Sequence, residues 1–295
     1  GEGEPIDLSV GELRSLERRL DMRSGVFSAE AHWVSPAGRE LVLTQRRFAD
    51  QADTGCVRVQ YALEPRNFSG EVQLRAGVDA TTRNDLEGLP QQLYRVAASA
   101  AAGERGVVVS VRGAAGGAAA AVGTAVTAPG RDDAEYRVEA VGDVPCVCVR
   151  LRAERGKLLY LDRVAAFATA RRAPEPLGAV RAALERAAGV PFGEARIAHA
   201  ARWAQLWEAS DVRIEGDADD QLAVRFSLYH LLAAAAESDD GVSIPAKGLT
   251  GEGYRGMVFW DTDIHMMPFF VFTQPRRARN LAMFRCRTLD GARDK

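Results

Sequence analysis

Between Ile244 and Phe270 the chain reads IPAKGLTGEGYRGMVFWDTDIHMMPFF, and here residue types and spacing suit ligand chemistry. Gly248, Gly251, Gly253 and Gly256 make a loop that can come close to a ligand, because glycine puts no side chain in the way. It is not a phosphate loop, since the Gly-Lys-Ser/Thr ending is missing and no strand clearly precedes it. Phe259-Trp260-Asp261 follows. A Trp face stacks on the apolar C–H side of a pyranose, and a neighbouring carboxylate accepts hydrogen bonds from sugar hydroxyls. Arg255 and Asp263 add polar groups. The same residues also suit a structural turn whose Trp is core and whose Asp caps the next helix, and spacing alone leaves both open. Glu252 lies in the loop too, but a lone loop carboxylate is usually solvated, so it receives no catalytic role.

The elements that must position this segment read as strands first and helices afterwards. Glu40 to Arg47, Cys56 to Leu63, Gly70 to Ala76, Gly106 to Arg112, Glu135 to Ala140 and Pro145 to Arg152 alternate apolar with polar. Such alternation puts one face on a core and the other in water. Turn residues separate the runs at Pro36-Ala37-Gly38, Pro65-Arg66-Asn67 and Pro129-Gly130. Many short strands without helices between them predict an antiparallel sandwich. Gly113 to Ala128 is rich in Ala and Gly and fits weak strand or loop. Composition changes near Arg171. A helix follows with Leu177, Val180 and Leu184 on one face, broken at Gly189-Val190-Pro191. A second carries Ile197, Ala201, Ala204 and Trp207 at three- and four-residue steps and closes at Ser210-Asp211. A third, from about Asp219 to Ala236, has Leu222, Phe226, Tyr229 and Leu232 as its stripe. A loop from Ser238 to about Gly256 leads to the last helical region, which includes a helix through Arg279 to Arg287.

Composition is ordinary for a globular protein, with 47% hydrophobic and 26% charged residues over 295 positions. A formal charge of −2 gives no support for a nucleic-acid partner or an anionic membrane surface. No apolar run is long enough to span a bilayer as a helix, and the first residues are too acidic and polar for a signal peptide. Cys146 and Cys148 share one face of a strand and read as buried thiols, with too few ligands near them for a metal site. Four cysteines at irregular spacing point to a reducing compartment, as in the cytoplasm.

The segment around Gly251 to Asp261 resembles the signature of glycoside hydrolase family 65. Leu20-Asp21-Met22-Arg23-Ser24-Gly25 is similar to that family's strand entry, with Arg47-Phe48 after it. WAQLWEASDVRIEGDADDQ, from Trp203 to Gln221, resembles its linker-to-barrel junction. RFSLYHL, from Arg225 to Leu231, and RCRTLDGAR, from Arg285 to Arg293, resemble barrel helices. The resemblance implies a β-then-α fold: an antiparallel β-sandwich over 1–171, a helical linker over 172–214, and the first helices of an incomplete (α/α)6 barrel over 215–295. Too few helices follow the sandwich to close a barrel, so a fragment is expected, lacking the N-terminal edge and most of the catalytic barrel.

Family phosphorylases cleave an α-linked glucose disaccharide with inorganic phosphate and inversion, giving β-glucose 1-phosphate. The implied partners are therefore disaccharide and phosphate, with no metal or organic cofactor and with a homodimeric parent. By residue match, Trp260 and Asp261 line the pocket for the non-reducing glucosyl unit, with Arg255 beside them. The family's general-acid Glu is expected beyond Lys295, so residues 1–295 alone should not turn over and should expose apolar helix faces. A trehalase-like hydrolase of the same family and a non-catalytic carbohydrate-binding module are the alternatives. The family commonly has Glu and Phe where this chain has Asp263 and His265, which bears on the substrate subtype.

Overall fold

The computed structural model describes residues 3–86, 89–114, 117–251 and 253–294, with backbone alone at 84–86, 89–91 and 255. The chain divides into two compact units, Gly1–Thr82 with Gln92–Ala200, and Arg83–Gln91 with Ala201–Lys295.

The first unit is an antiparallel β-sandwich. Its strands are β1 (Glu12–Asp21), β2 (Val26–Val34), β3 (Glu40–Ala49), β4 (Cys56–Pro65) and β5 (Gly70–Gly77). After β6 (Asn84–Leu86) and β7 (Leu89–Gln91), a hairpin of the second unit, come β8 (Tyr94–Ala101), β9 (Gly106–Gly113) and β10 (Ala119–Thr127). β11 (Glu135–Val141), β12 (Val144–Ala153) and β13 (Leu159–Thr169) complete the set. The large sheet runs β1-β2-β3-β4-β13-β10-β9-β8, and the small one β11-β12-β5.

The predicted strands are all present. Between the sheets lies a core that includes Trp33, Leu41, Leu63, Val126, Val147, Val149, Leu151 and Leu161. Cys146 and Cys148 are buried free thiols. The opposite face of the large sheet is covered by α1 (Pro176–Ala188) through Val180, Leu184 and Ala187, which meet Val108, Ala121, Ala125, Val164 and Ala166.

The Ala/Gly-rich stretch that fits either strand or loop holds β10, a central strand of the large sheet. Its small residues make room for the helix. A Cβ on Gly123 would stand 2.7 Å from Leu184 Cδ1 and 2.8 Å from Val180 Cγ1, closer than real side chains approach. The weak strand propensity of the segment is thus the cost of letting α1 lie flat on the sheet.

Leu20 to Gly25 closes β1 and turns into β2. Asp21 holds the turn, its Oδ1 accepting from the Arg23 amide at 3.1 Å and its Oδ2 from the Ser24 hydroxyl. Gly25 takes φ 65°, a conformation that favours glycine.

A buried ion pair ties α1 to the sheet. Arg58 Nε donates to Asp50 Oδ2 at 3.0 Å, and its Nη1 donates to the carbonyls of Ala187 and Val190 at 2.8 and 3.2 Å. Asp50 Oδ1 in turn accepts from the amides of Ala52 and Asp53.

α2 (Phe192–Ser210) carries a different face from the one predicted. Ile197 is 66% exposed and Ala201 and Ala204 are exposed, whereas Ala195, His199, Trp203, Leu206 and Ser210 are buried. The buried stripe includes two polar residues, which a count of apolar spacing passes over. In the first unit His199 stacks on Phe48 with ring centroids 4.4 Å apart. Its Nδ1 accepts from the Gln51 amide at 3.1 Å, so the neutral ring carries its proton on Nε2, 3.4 Å from the Gly25 carbonyl.

The second unit is helical apart from the β6–β7 hairpin. α3 (Ala218–Ala234) opens on Asp217, whose side chain accepts from the amides of Asp219 and Asp220. α4 (Met267–Thr273) and α5 (Pro275–Arg293) follow. Their core joins Trp203, Leu206, Leu232, Ile244, Phe270, Ala278 and Leu281, with Trp203 stacked on Tyr229. Of the stripe predicted for α3, Leu232 is buried and Tyr229 packs on this core, but Leu222 and Phe226 are exposed. No helix among the described residues is long and apolar enough to cross a membrane.

Arg58→Leu leaves Asp50 buried without its cation and the Val190 carbonyl without its donor, while the Ala187 carbonyl keeps the Val190 amide. It should lower the unfolding free energy by about 3 to 5 kcal/mol in urea denaturation. Burial holds the His199 imidazole below its ordinary 6.5. The unfolded chain binds that proton more readily, so this contribution is complete above the ordinary value and is lost as the pH falls through the lower folded one. The thermal midpoint should therefore fall on acidification below pH 6.5, with a shallower slope in His199→Gln.

Candidate functional site

The glycine-rich loop is anchored at both ends in the second unit. Ile244 is buried in the core at its start, and the Ala246 amide donates to the Met257 carbonyl at 3.2 Å. Gly248 and Gly256 take φ 56° and 70°, so the chain can turn back on itself. Tyr254 takes φ 59°, a position that costs on the order of 1 kcal/mol or more for a bulky residue and that clusters at ligand sites. Its ring is held from two sides, by Phe259 edge-to-face at 5.6 Å and by the Lys247 ammonium at 5.6 Å.

Past the loop the backbone enters a π-helical turn, Thr262–Met266. Such turns interrupt a helix at a cost and occur frequently at functional sites. Both the Asp263 and Ile264 amides donate to the Trp260 carbonyl at 3.0 Å. Thr262 is fully buried, and its hydroxyl donates to the Ile244 carbonyl at 2.7 Å, pinning the turn to the start of the loop.

Trp260 and Asp261 sit at the head of this turn. Trp260 is 64% exposed, so it is not a core residue. Asp261 makes no side-chain capping hydrogen bond, so the helix-cap alternative does not describe it either. The His265 ring lies 5.6 Å from the Trp260 ring, tilted by 52°. An exposed indole and an imidazole therefore lie side by side, and the half-buried Asp261 is next in sequence to the indole. Arg255 lies in the 3-10 turn Gly253–Gly256, its side chain outside the described residues, as is Glu252 altogether. No group of three or more His, Cys, Asp or Glu among the described residues is arranged to hold a metal ion.

Residues 2–206 match the glycosyl hydrolase family 65 N-terminal domain, and residues 225–295 match the family's central catalytic domain. The chain belongs to glycoside hydrolase family 65. It is 30% identical over 303 residues to a kojibiose phosphorylase of Caldanaerobacter subterraneus subsp. tengcongensis, covering 99% of this chain and 39% of the relative. It is 29% identical over 305 residues to an α,α-trehalose phosphorylase of Thermoanaerobacter brockii, covering 100% of this chain and again 39% of the relative. The chain thus spans about two fifths of the length of these relatives. A solved structure of a putative kojibiose phosphorylase from human microbiome superposes with a TM-score of 0.85 over 97% of this chain and 37% of that one, at 20% identity, and shares the fold. The observed sandwich followed by helices is the architecture that the sequence resemblance implies.

The exposure of Trp260 makes a sharp expectation. Trp260→Ala should change the unfolding free energy by less than about 0.5 kcal/mol in chemical denaturation, as for most surface residues outside the core.

Proposed function

We propose that the whole protein is an inverting α-glucoside phosphorylase. Inorganic phosphate and an α-linked glucose disaccharide give β-glucose 1-phosphate and the free acceptor sugar. Trp260 stacks on the non-reducing glucosyl unit, Asp261 accepts from its hydroxyls, and Arg255 adds a donor. A Glu outside residues 1–295 protonates the glycosidic oxygen while phosphate attacks the opposite face of the sugar. Phosphate takes the place of an activated water, so no separate general base is needed. The reaction uses no metal or organic cofactor. Residues 1–295 by themselves bind sugar without turning it over. We assign the sandwich to 1–171, a linker to 172–214 and the opening of the catalytic barrel to 215–295. A cytoplasmic setting and a homodimer complete the reading.

The observation that carries this proposal is similarity to kojibiose and trehalose phosphorylases along 99% or more of the chain. The exposed Trp260 beside Asp261, neither core nor cap, supports the sugar contact. The test is release of glucose 1-phosphate from kojibiose, trehalose and maltose by the whole protein, with and without phosphate. Phosphate-dependent release of the β-anomer is expected, with Asp261→Asn lowering kcat/KM by about a hundredfold or more. Release of free glucose at the same rate without phosphate would make the protein a hydrolase instead.

A further inference from the structure

Arg285, on α5, reaches back to the loop and grips it on both sides of Trp260 and Asp261. Its Nε and Nη2 donate to Asp263 Oδ2 at 2.9 and 2.7 Å, on the C-terminal side of the pair. The same Nη2 donates to the Phe259 carbonyl at 2.5 Å, and Nη1 lies 3.4 Å from the Val258 carbonyl, on the N-terminal side. One planar guanidinium therefore brackets the two residues whose relative placement decides whether an indole face and a carboxylate meet the same ring. We propose that Arg285 and Asp263 are a positioning pair that fixes the Trp260–Asp261 turn for sugar binding.

The inference rests on the sugar-contact reading of Trp260 and Asp261 and extends it to residues that need not touch the sugar. Asp263 and Arg285 are both half-buried, so their hydrogen bonds work in partial contact with water. A surface pair of this kind contributes little to global stability. Its geometry is more telling. Asp263 already donates its backbone amide to the Trp260 carbonyl, so holding its carboxylate also holds the peptide after the indole. Among the described residues no backbone amide donates to the carbonyls of Phe259 and Val258, and Arg285 gives them donors. Lysine carries one compact charge without the planar fork, so it cannot serve both flanks together.

The test labels the whole protein with 5-fluorotryptophan and follows the fluorine resonances of Trp33, Trp203, Trp207 and Trp260, each assigned within the whole protein from its own Trp→Phe variant. Titrations with kojibiose and with glucose follow for Arg285→Ala, Arg285→Lys, Asp263→Asn and the Arg285→Ala/Asp263→Asn double variant. The Trp260 resonance should move in each variant while the other three stay in place. Sugar affinity should fall about tenfold in Arg285→Ala, the size of one lost charge-assisted hydrogen bond. Arg285→Lys should lie between wild type and Arg285→Ala, and the double variant should be no worse than the poorer single one, since the pair acts as a unit. An unmoved Trp260 resonance in Arg285→Ala overturns the proposal, as does a shift of all four resonances together, which marks a role in the fold alone. Absence of sugar binding by the wild type counts against the proposed function, and the Trp260 resonance then decides the positioning pair by itself.

Discussion

A helix that ends inside a protein has carbonyls pointing at nothing, and this fold answers that problem with buried arginine. In the first unit the C-terminal end of α1 meets the guanidinium of Arg58, which is 3% exposed and reaches the carbonyls of Ala187 and Val190. These carbonyls are the negative end of the helix dipole, so a cation is the fitting partner. The charge is balanced by Asp50, itself fixed by two backbone amides at the β3–β4 turn. Asp53 in the same turn takes Arg186 from the last turn of α1 at 2.7 Å. The helix that covers the large sheet is thereby tied to the connection between two of its strands, and the alignment of α1 over Gly123 follows.

The second unit repeats the device with different residues. Arg277 is 2% exposed and donates to the carbonyls of Leu232 and Ala235 at the end of α3. Here the balancing carboxylate is Glu237, 3.7 Å away and shared with Arg202. This fixes the end of α3 against the start of α5. The loop that carries Trp260 is held within the same unit, at Ile244 by the core and at Arg285 by α5. A flexible, glycine-rich segment is thus suspended between rigid supports.

Much of this was legible in the sequence, for identifiable reasons. Strands with one face on the core and one toward water announce themselves by alternation: β3, β4, β5, β9, β11 and β12 were read this way, although β2, β8 and β13 went unread. So did β1, because its leucines at 13, 16 and 20 follow no two-residue step and every one of its residues is exposed. β10 was ambiguous because it is built to accept a helix, so small residues replace the usual β-formers. The α2 face was misjudged because His199 and Ser210 occupy buried positions that hydrophobic spacing discounts. The candidate site was visible as Gly-rich loop plus Trp-Asp, but Arg285 lies 22 residues beyond Asp263 and only folding brings them together. Nor could spacing separate an exposed Trp260 from a core one, since exposure depends on what the rest of the chain leaves uncovered.

The two outermost strands of the large sheet, β1 and β8, share a feature that its inner strands lack. Among the described residues, each has an irregular step in register with its neighbour, between Leu13 and Ser15 in β1 and between Val96 and Ala98 in β8. β1 also carries Glu12, Arg14, Glu17, Arg18 and Arg19 along its exposed length. A bulge breaks the even row of amides and carbonyls that an incoming strand would need, and a charged margin must be stripped of water before another chain can lie along it. The broad sheet is in this way protected at both margins against growing by accretion, so that a protein rich in strands can remain at high concentration without seeding fibrous aggregates.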